Sequence, residues 1–361
     1  MVRLHMLHSL LLAAATLAAA PAAFAADDAK VLFDRGYLRR ASAECDKRLA
    51  ADPKDVEAEA MLSRIRSEQG DKQGAMKLAT GAVAADARNA DAQYALAEVY
   101  GRELRDASVF RQPGLAGKMR KAAEAALAID PDHLDALEIS SDFYRYAPGI
   151  VGGDKNKSVE YVDRMVKVDP VVGWIKRAEI AMEGKDKDTV RAAECYRQAA
   201  AAEPTSARAE VALASWLLQP WRDPAQSEKL ALAAVQAEPW RTGGWQVLAA
   251  LYSYQERWKD LDDVLARSEA AEPTHLAPWF TAGRQILNAG KDPARAEGYL
   301  RHYLTREPEI GSRSWAMARW QLGLALERQG KKPEAVAELE TAVKLDPKLD
   351  DAKKDLKRLR G

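Results

Sequence analysis

Cysteine and histidine are scarce. The 361 residues include two Cys and five His, and only His133, His275 and His302 lie beyond the first eight positions. No group of His, Cys and acidic residues has metal-ligand spacing. Neither Cys stands with a His as a nucleophile stands with its base. No Gly-x-Ser-x-Gly elbow occurs. Net charge is lacking too: 54 basic and 54 acidic residues cancel, so no overall attraction to nucleic acid or anionic lipid is implied. Beyond residue 25 no apolar run is long enough to cross a membrane. Carboxylate pairs such as Asp262-Asp263 and Asp350-Asp351 carry little information in a chain that is 30% charged. These absences argue against an enzyme, a metal site or a bound cofactor, and against nucleic acid as a partner.

The first residues read as an export signal. Arg3 precedes an apolar stretch from Leu10 to Ala20, and Pro21 and Ala23-Phe24-Ala25 supply small residues at a cleavage site. Cleavage is expected after Ala25, leaving a periplasmic chain of residues 26–361 with no membrane insertion.

What the chain has in quantity is alanine and a rhythm. Trp245, Leu248, Ala249 and Tyr252 are followed thirty-four positions after Trp245 by Trp279, then Ala282-Gly283 and Ile286. Leu322-Gly323, Leu326, Gly330, Ala335, Leu339, Ala342 and Pro347 keep the same register, as do Leu62, Gly70, Ala75, Ala79 and Ala82 upstream. Each unit reads as two helices, with apolar residues at i, i+3, i+4 and i+7 in the first and an Ala-rich second. An acidic residue and Pro close most units: Asp52-Pro53, Asp130-Pro131, Asp169-Pro170, Glu203-Pro204, Glu238-Pro239, Glu272-Pro273, Glu307-Pro308 and Asp346-Pro347. Proline donates no N–H and biases its predecessor away from helix, so it ends one unit before the next. A fixed period of this length means one supersecondary unit stacked many times, each burying its apolar face against its neighbours.

This pattern resembles the tetratricopeptide repeat family. Residues 242–275 carry its signature through Trp245, Leu248, Ala249 (where Gly is usual), Tyr252, Trp258, Leu265 and Pro273. Residues 316–349 do so through Leu322, Gly323, Leu326, Gly330, Ala335, Ala342 and Pro347. Residues 56–89 match with Ala87 in place of the Pro. The expected fold is all-α: a right-handed solenoid of about eight helix pairs at 56–89, 90–133, 134–172, 173–206, 207–241, 242–275, 276–309 and 316–349. A truncated pair at about 27–55 precedes them, and a capping helix at 350–361 closes the array. Cys45 and Cys195, on second helices about four units apart, then lie several-fold beyond the ~7 Å reach of a disulfide and read as buried small hydrophobes.

The resemblance also implies which first-helix residues line the concave face. They are Glu57, Arg64, Glu68, Asp91, Tyr94, Glu98, Asp135, Glu138, Asp142 and Arg145 in the first half. In the second half they are Gln246, Tyr254, Phe280, Arg284, Asn288, Trp320 and Arg328. The first zone is mainly acidic and the second polar and aromatic, which suits a ligand with one basic and one apolar end.

Two units break the rhythm with extra residues between their helices. One runs from Gly101 to Lys118 and holds Arg105, Phe110 and Arg111; the other runs from Ala147 to Lys155 and holds Gly149, Gly152, Gly153 and Asp154. Equivalent turns share an edge in a stacked array, so these loops are expected to form a lip. Asp154 separates Gly153 from Lys155, which departs from the phosphate-loop pattern, and Asp154 reads as a helix cap. All nine Trp lie from Trp174 onward. Trp245, Trp258 and Trp279 occupy core positions, whereas Trp221, Trp240, Trp315 and Trp320 are less easily absorbed. The expected function is a non-catalytic scaffold of the cell envelope that holds a protein or peptide in its groove. The alternative is a carbohydrate-handling accessory of a polysaccharide export system, with Trp rings stacked on sugars.

Overall fold

The computed structural model describes residues 28–185, 187–219, 222–306 and 312–361, the last stretch with side chains from 315 onward. The expected signal at 1–25, Trp221 and Glu307-Pro308 fall outside the described residues. Those described form nineteen α-helices and one 3-10 turn, with no strand among them.

The truncated pair is α1 (Ala29–Asp34) and α2 (Leu38–Ala51). Full pairs follow as α3 (Val56–Glu68) with α4 (Lys72–Ala85), α5 (Ala90–Asp106) with α6 (Gln112–Ile129), and α7 (Leu134–Tyr146) with α8 (Lys155–Val168). Next come α9 (Pro170–Ala181) with α10 (Thr189–Ala202), α11 (Ala207–Leu218) with α12 (Pro224–Ala237), and α13 (Thr242–Gln255) with α14 (Trp258–Ala271). The array ends with α15 (Ala277–Asn288) and α16 (Pro293–Tyr303), α17 (Ser312–Arg328) and α18 (Lys332–Leu345), and the cap α19 (Asp350–Arg360). The cap buries only Ala352, Leu356 and Leu359, as a terminal helix with a wet outer face should.

Local chemistry explains the boundaries. Asp55, Asp71, Asn89, Asp188, Asp223 and Asp292 cap the helices that follow them by accepting a backbone N–H with the side chain. Each such cap contributes about 1 kcal/mol. The acid–Pro stop is an Asx turn as well: Asp52, Asp130 and Asp346 accept the backbone N–H two residues on, at 2.9, 3.0 and 2.9 Å. Asp86 does the same to Arg88 at 2.8 Å, so the turn forms with Ala87 where proline is usual.

One unit departs from the expected register. The fourth full pair was expected from 173, but α9 starts at Pro170, with Asp169 ending α8 and capping α9 at once. Pro170 is therefore the first residue of a helix, not a linker. The join is tight: a Cβ on Gly173 would lie 2.4 Å from the Val166 nitrogen and 2.5 Å from its Cα.

Successive first helices pack against one another: α1 on α3, α3 on α5, α5 on α7, α9 on α11, α11 on α13, α13 on α15 and α15 on α17. Successive second helices do not pack comparably. The first helices therefore form the inner, more crowded layer, and their outward-facing side chains line the concave surface. The core is uneven along this layer. From Ala214 to Leu359 one continuous cluster runs through Trp245, Leu248, Leu265, Ile286, Leu300, Leu322 and Leu339. The first half is divided into smaller, Ala-rich clusters.

Candidate binding groove and its closure

On the concave face of the first half, the expected acidic zone is a set of ion pairs. Arg64 on α3 is buried; its Nε lies 3.0 Å from Glu98 on α5 and its terminal nitrogen 2.9 Å from Asp135 on α7. Its guanidinium carbon is 4.7 Å from the Phe33 ring centre and 4.8 Å from that of Tyr94. Arg102 joins Glu98 at 3.1 Å and also holds Glu68. Glu57 meets Arg48 at 3.2 Å. His133 accepts the Ala136 N–H at Nδ1 and so donates from Nε2 to Asp91 at 3.2 Å; this bond holds the Asp91 carboxyl below its usual range. Lys176 on α9 reaches Glu138 at 3.1 Å and Asp142 at 2.7 Å, and Arg145 meets Glu183 at 2.5 Å.

These contacts correct the two-zone expectation. The acids are there, but Arg48, Arg64, Arg102 and Lys176 pair with most of them, and His133 holds Asp91 by a hydrogen bond. Tyr94 is buried beneath Arg64, so it packs within the wall. The polar bridge from Lys176 fills the junction where α7 and α9 pack less closely than the other first helices. Around it burial pushes the Asp142 and Glu179 carboxyls up despite the nearby ammonium.

The second half offers a more open face. Arg284 and Asn288 are exposed on α15, and Tyr254 is exposed at the end of α13. Phe280 is half-buried beside Tyr303, with ring centres 5.4 Å apart, and Arg284 lies 5.7 Å from it. Gln246 bonds Thr281 at 3.4 Å, and Arg328 donates to the Leu287 carbonyl. Trp320 is half-buried, and its Nε1 donates to Asp355 of the cap at 2.8 Å. Trp315 donates to the Arg306 carbonyl at 3.1 Å.

The lip differs from its expected form. Residues 101–118 are mostly helix: α5 and α6 are long, and only 107–111 turn between them. Arg105 lies on α5, whereas Phe110 and Arg111 are in the turn. The second interruption is a one-turn 3-10 helix, Gly149–Val151, followed by Gly152 at φ +98°. Gly153 passes so near the Ala147 carbonyl that a Cβ would lie 1.7 Å from its oxygen. Asp154 caps α8 at the N–H groups of Asn156 and Lys157, at 2.9 and 3.3 Å, and Lys155 opens the helix. The 3-10 turn packs on α6, so the two turns are neighbours.

The first helix pair also reaches far along the chain. The Tyr37 hydroxyl donates its one proton to Glu272 at 2.7 Å, with the Trp240 carbonyl as the longer, shared acceptor at 3.2 Å. Arg40 lies 3.2 Å from the same carboxylate and 3.1 Å from the Thr274 hydroxyl. Arg35 sits 5.3 Å over the Trp240 ring, and Tyr37 meets His275 edge to face at 6.2 Å. Tyr37 and Glu272 are both buried. A second such contact joins Asp106, the last residue of α5, to Lys348 before α19, at 3.5 Å. The solenoid thus returns on itself edge to edge.

A tetratricopeptide repeat model matches residues 318–349. The crystal structure of yeast Tom70 superposes with a TM-score of 0.52 at 13% identity, covering 92% of this chain and 80% of that one. Residues 318–349 thus carry a tetratricopeptide repeat, and the chain has the solenoid fold of such repeats. A tetratricopeptide repeat protein from Parabacteroides merdae ATCC 43184 is similar at a TM-score of 0.43 and 14% identity, over 85% of this chain and 99% of that one. No curated protein matches the sequence. Repeat-by-repeat reading missed the closure residues Arg35, Tyr37, Arg40, Trp240, Glu272, Thr274 and His275. The signal available was slight: Trp240, Glu272 and His275 sit in inter-repeat turns, where ordinary stacking gives a large aromatic or a buried acid no partner.

Proposed function

We propose that this repeat protein is a non-catalytic scaffold that holds an extended peptide segment against the concave face of α13, α15 and α17. The observation that carries this reading is the contrast between the two halves. The first half spends its charges on internal ion pairs, while Tyr254, Arg284 and Asn288 stand exposed over a continuous core. A preformed face of this kind avoids an ordering cost on its own side. Exposed Arg284 with half-buried Phe280 favours a segment bearing acidic and apolar side chains. With the export signal expected at 1–25, the site of action would be the cell envelope. The Trp240 ring lies under Arg35, and the indole N–H groups of Trp315 and Trp320 donate to Arg306 and Asp355, which favours peptide over stacked sugar.

The test is capture from envelope extract with the intact protein and with Tyr254→Ala/Arg284→Glu. A control, Lys229→Glu, changes an exposed charge on the outer helix α12. Partners retained by the control and lost by the groove variant, with unchanged helicity, are the expected result. Identical capture profiles from all three proteins would exclude the concave face of α13–α15.

A further inference from the structure

The two interrupting turns carry a set of side chains that the groove does not use. Phe110 is 97% exposed, Ile150 95%, Val109 75% and Tyr146 63%. Large apolar side chains standing fully in water at neighbouring sites mark an interaction surface. The turns rise from one hydrophobic cluster that joins Leu104 of α5, Ala116 and Met119 of α6, Phe143 of α7 and Tyr161 of α8.

Both turns are built to hold these tips out. In the first, the N–H groups of Arg111 and Gln112 donate to the Ser108 carbonyl at 2.8 and 3.2 Å. In the second, Gly152 donates to Gly149 and Gly153 to Pro148, and Asp154 donates to the Tyr144 carbonyl at 2.8 Å. The backbone groups are satisfied within the turns, so Phe110 and Ile150 are held on convex points and are kept from folding back onto the cluster.

Cations surround the points. Arg105, Arg111 and Lys155 are exposed and make no ion pair with described residues. The ammonium groups of Lys118 and Lys157 lie 5.5 Å over Tyr100 and 5.2 Å over Tyr144. Of the carboxylates bordering the turns, Asp106 is engaged by Lys72 and Lys348 and Asp154 by the α8 N-terminus, which leaves Glu103 against the five cations. The chain is neutral overall, yet this edge carries a local positive surplus around an apolar centre.

We propose that this edge docks on an anionic lipid surface. Phe110 and Ile150 enter the boundary between headgroups and acyl chains, and the five cations lie against lipid phosphates. Apolar residues on a convex, basic-rimmed edge fit the interfacial mode, in which buried apolar area and attraction to anionic headgroups add. A protein partner would need a separate pocket for each protruding tip. The proposal is independent of the peptide groove, which lies on the first-helix face.

The test uses the full chain and co-sedimentation with vesicles of phosphatidylcholine alone or mixed with phosphatidylglycerol. Phe110→Asp/Ile150→Asp is expected to weaken binding to the mixed vesicles about tenfold or more. Arg111→Glu/Lys155→Glu is expected to abolish the preference for phosphatidylglycerol. Because Cys45 and Cys195 are buried, a Phe110→Cys variant labelled with an environment-sensitive dye should shift to shorter wavelength on mixed vesicles. Equal sedimentation of the intact chain and the Asp variant would assign the binding to another segment and overturn the proposal. So would an unshifted dye, or tip-dependent binding to an acidic protein with no vesicle binding.

Discussion

Replacing Tyr37 with Phe removes one hydroxyl and leaves every packing contact of the ring in place. In the closed solenoid that hydroxyl is shared between a buried carboxylate, Glu272 at 2.7 Å, and the Trp240 carbonyl at 3.2 Å. A hydrogen bond to a charged acceptor contributes about 1.5–3 kcal/mol, so a loss of about 2 kcal/mol is expected. Tyr37→Phe should therefore raise the open fraction by about thirtyfold, since 1.4 kcal/mol is a factor of ten. Glu272→Ala should cost about 3 kcal/mol or more, because it removes the one charged acceptor that the Tyr37 hydroxyl and the Arg40 guanidinium share. Native-state hydrogen exchange reads this directly. Amides of α1 and α2 should exchange faster in Tyr37→Phe and faster still in Glu272→Ala, while those of α15 to α18 are unchanged. Unaltered exchange in α2 of Glu272→Ala, or uniform acceleration through α18, would refute the closure.

The latch also has a pH range. Burial alone would raise the Glu272 carboxyl, but hydrogen bonds from Thr274 and Tyr37 and the charge of Arg40 outweigh it and hold the group below its ordinary 4.5. A group with a depressed folded value stabilises above its unfolded value and loses that contribution as pH falls through the folded one. Burial and the neighbouring Glu272 raise the Tyr37 hydroxyl above its ordinary 10.0. Its contribution is complete below that value and disappears as pH rises through the folded one. Exchange protection of α2 should thus be flat through neutrality and fail first in acid, below the ordinary carboxylate range.

Two further substitutions and one labelling experiment test the wall, the turns and the core. Arg64→Ala strands Asp135 and leaves Glu98 to Arg102 alone; it should cost about 3 kcal/mol, read as a lower urea midpoint for the first-half transition. Glu256 holds φ +57° in a turn where equivalent units have glycine. Glu256→Gly should therefore be neutral or stabilising by up to about 1 kcal/mol, despite loss of its pairing with Lys291. Burial pushes the Cys45 thiol up to about 12, so the native protein should resist thiol reagents until it is unfolded.

Whatever depends on neighbours within one unit could be read from the chain. The helix pairs follow from apolar spacing, the caps from Asp and Asn placed before each helix, and the terminal cap from Ala352, Leu356 and Leu359. Errors arose where a residue type serves two geometries. Asp169-Pro170 looks like the other acid–Pro stops, yet Pro170 begins a helix because Gly173 lets α9 close on Val166. Residues 101–118 contain three glycines and a proline and read as loop, but Pro113 sits in the first turn of α6, where its missing N–H costs nothing. The acidic groove misled because charge along one helix face says nothing about Arg64, Arg102 and Lys176 arriving from other units.

The closure was illegible for a different reason: it is the sum of many small rotations. Tyr37 lies in the turn inside the first helix pair, and Glu272 ends the seventh pair; Asp106 ends the first helix of the third, and Lys348 follows the ninth. Both contacts therefore span six pairs, since seven minus one equals nine minus three, and both join the edge where the two helices of a pair meet to a turn between pairs. Two independent contacts with one displacement mark a property of accumulated pitch, so a change in any intervening angle is carried to Tyr37. Gly173 is the sharpest place to make such a change, because an added Cβ there would meet Val166 backbone at 2.4–2.5 Å. Gly173→Ala should force α9 away from α8 and displace everything beyond it as a body. Exchange at α1 and α2 should then accelerate, although residue 173 lies 136 positions from Tyr37 (173 − 37). The continuous core from Ala214 to Leu359 should keep its protection. If α9 and α10 lose protection while α2 keeps it, the closing contact follows local affinity and the pitch argument fails.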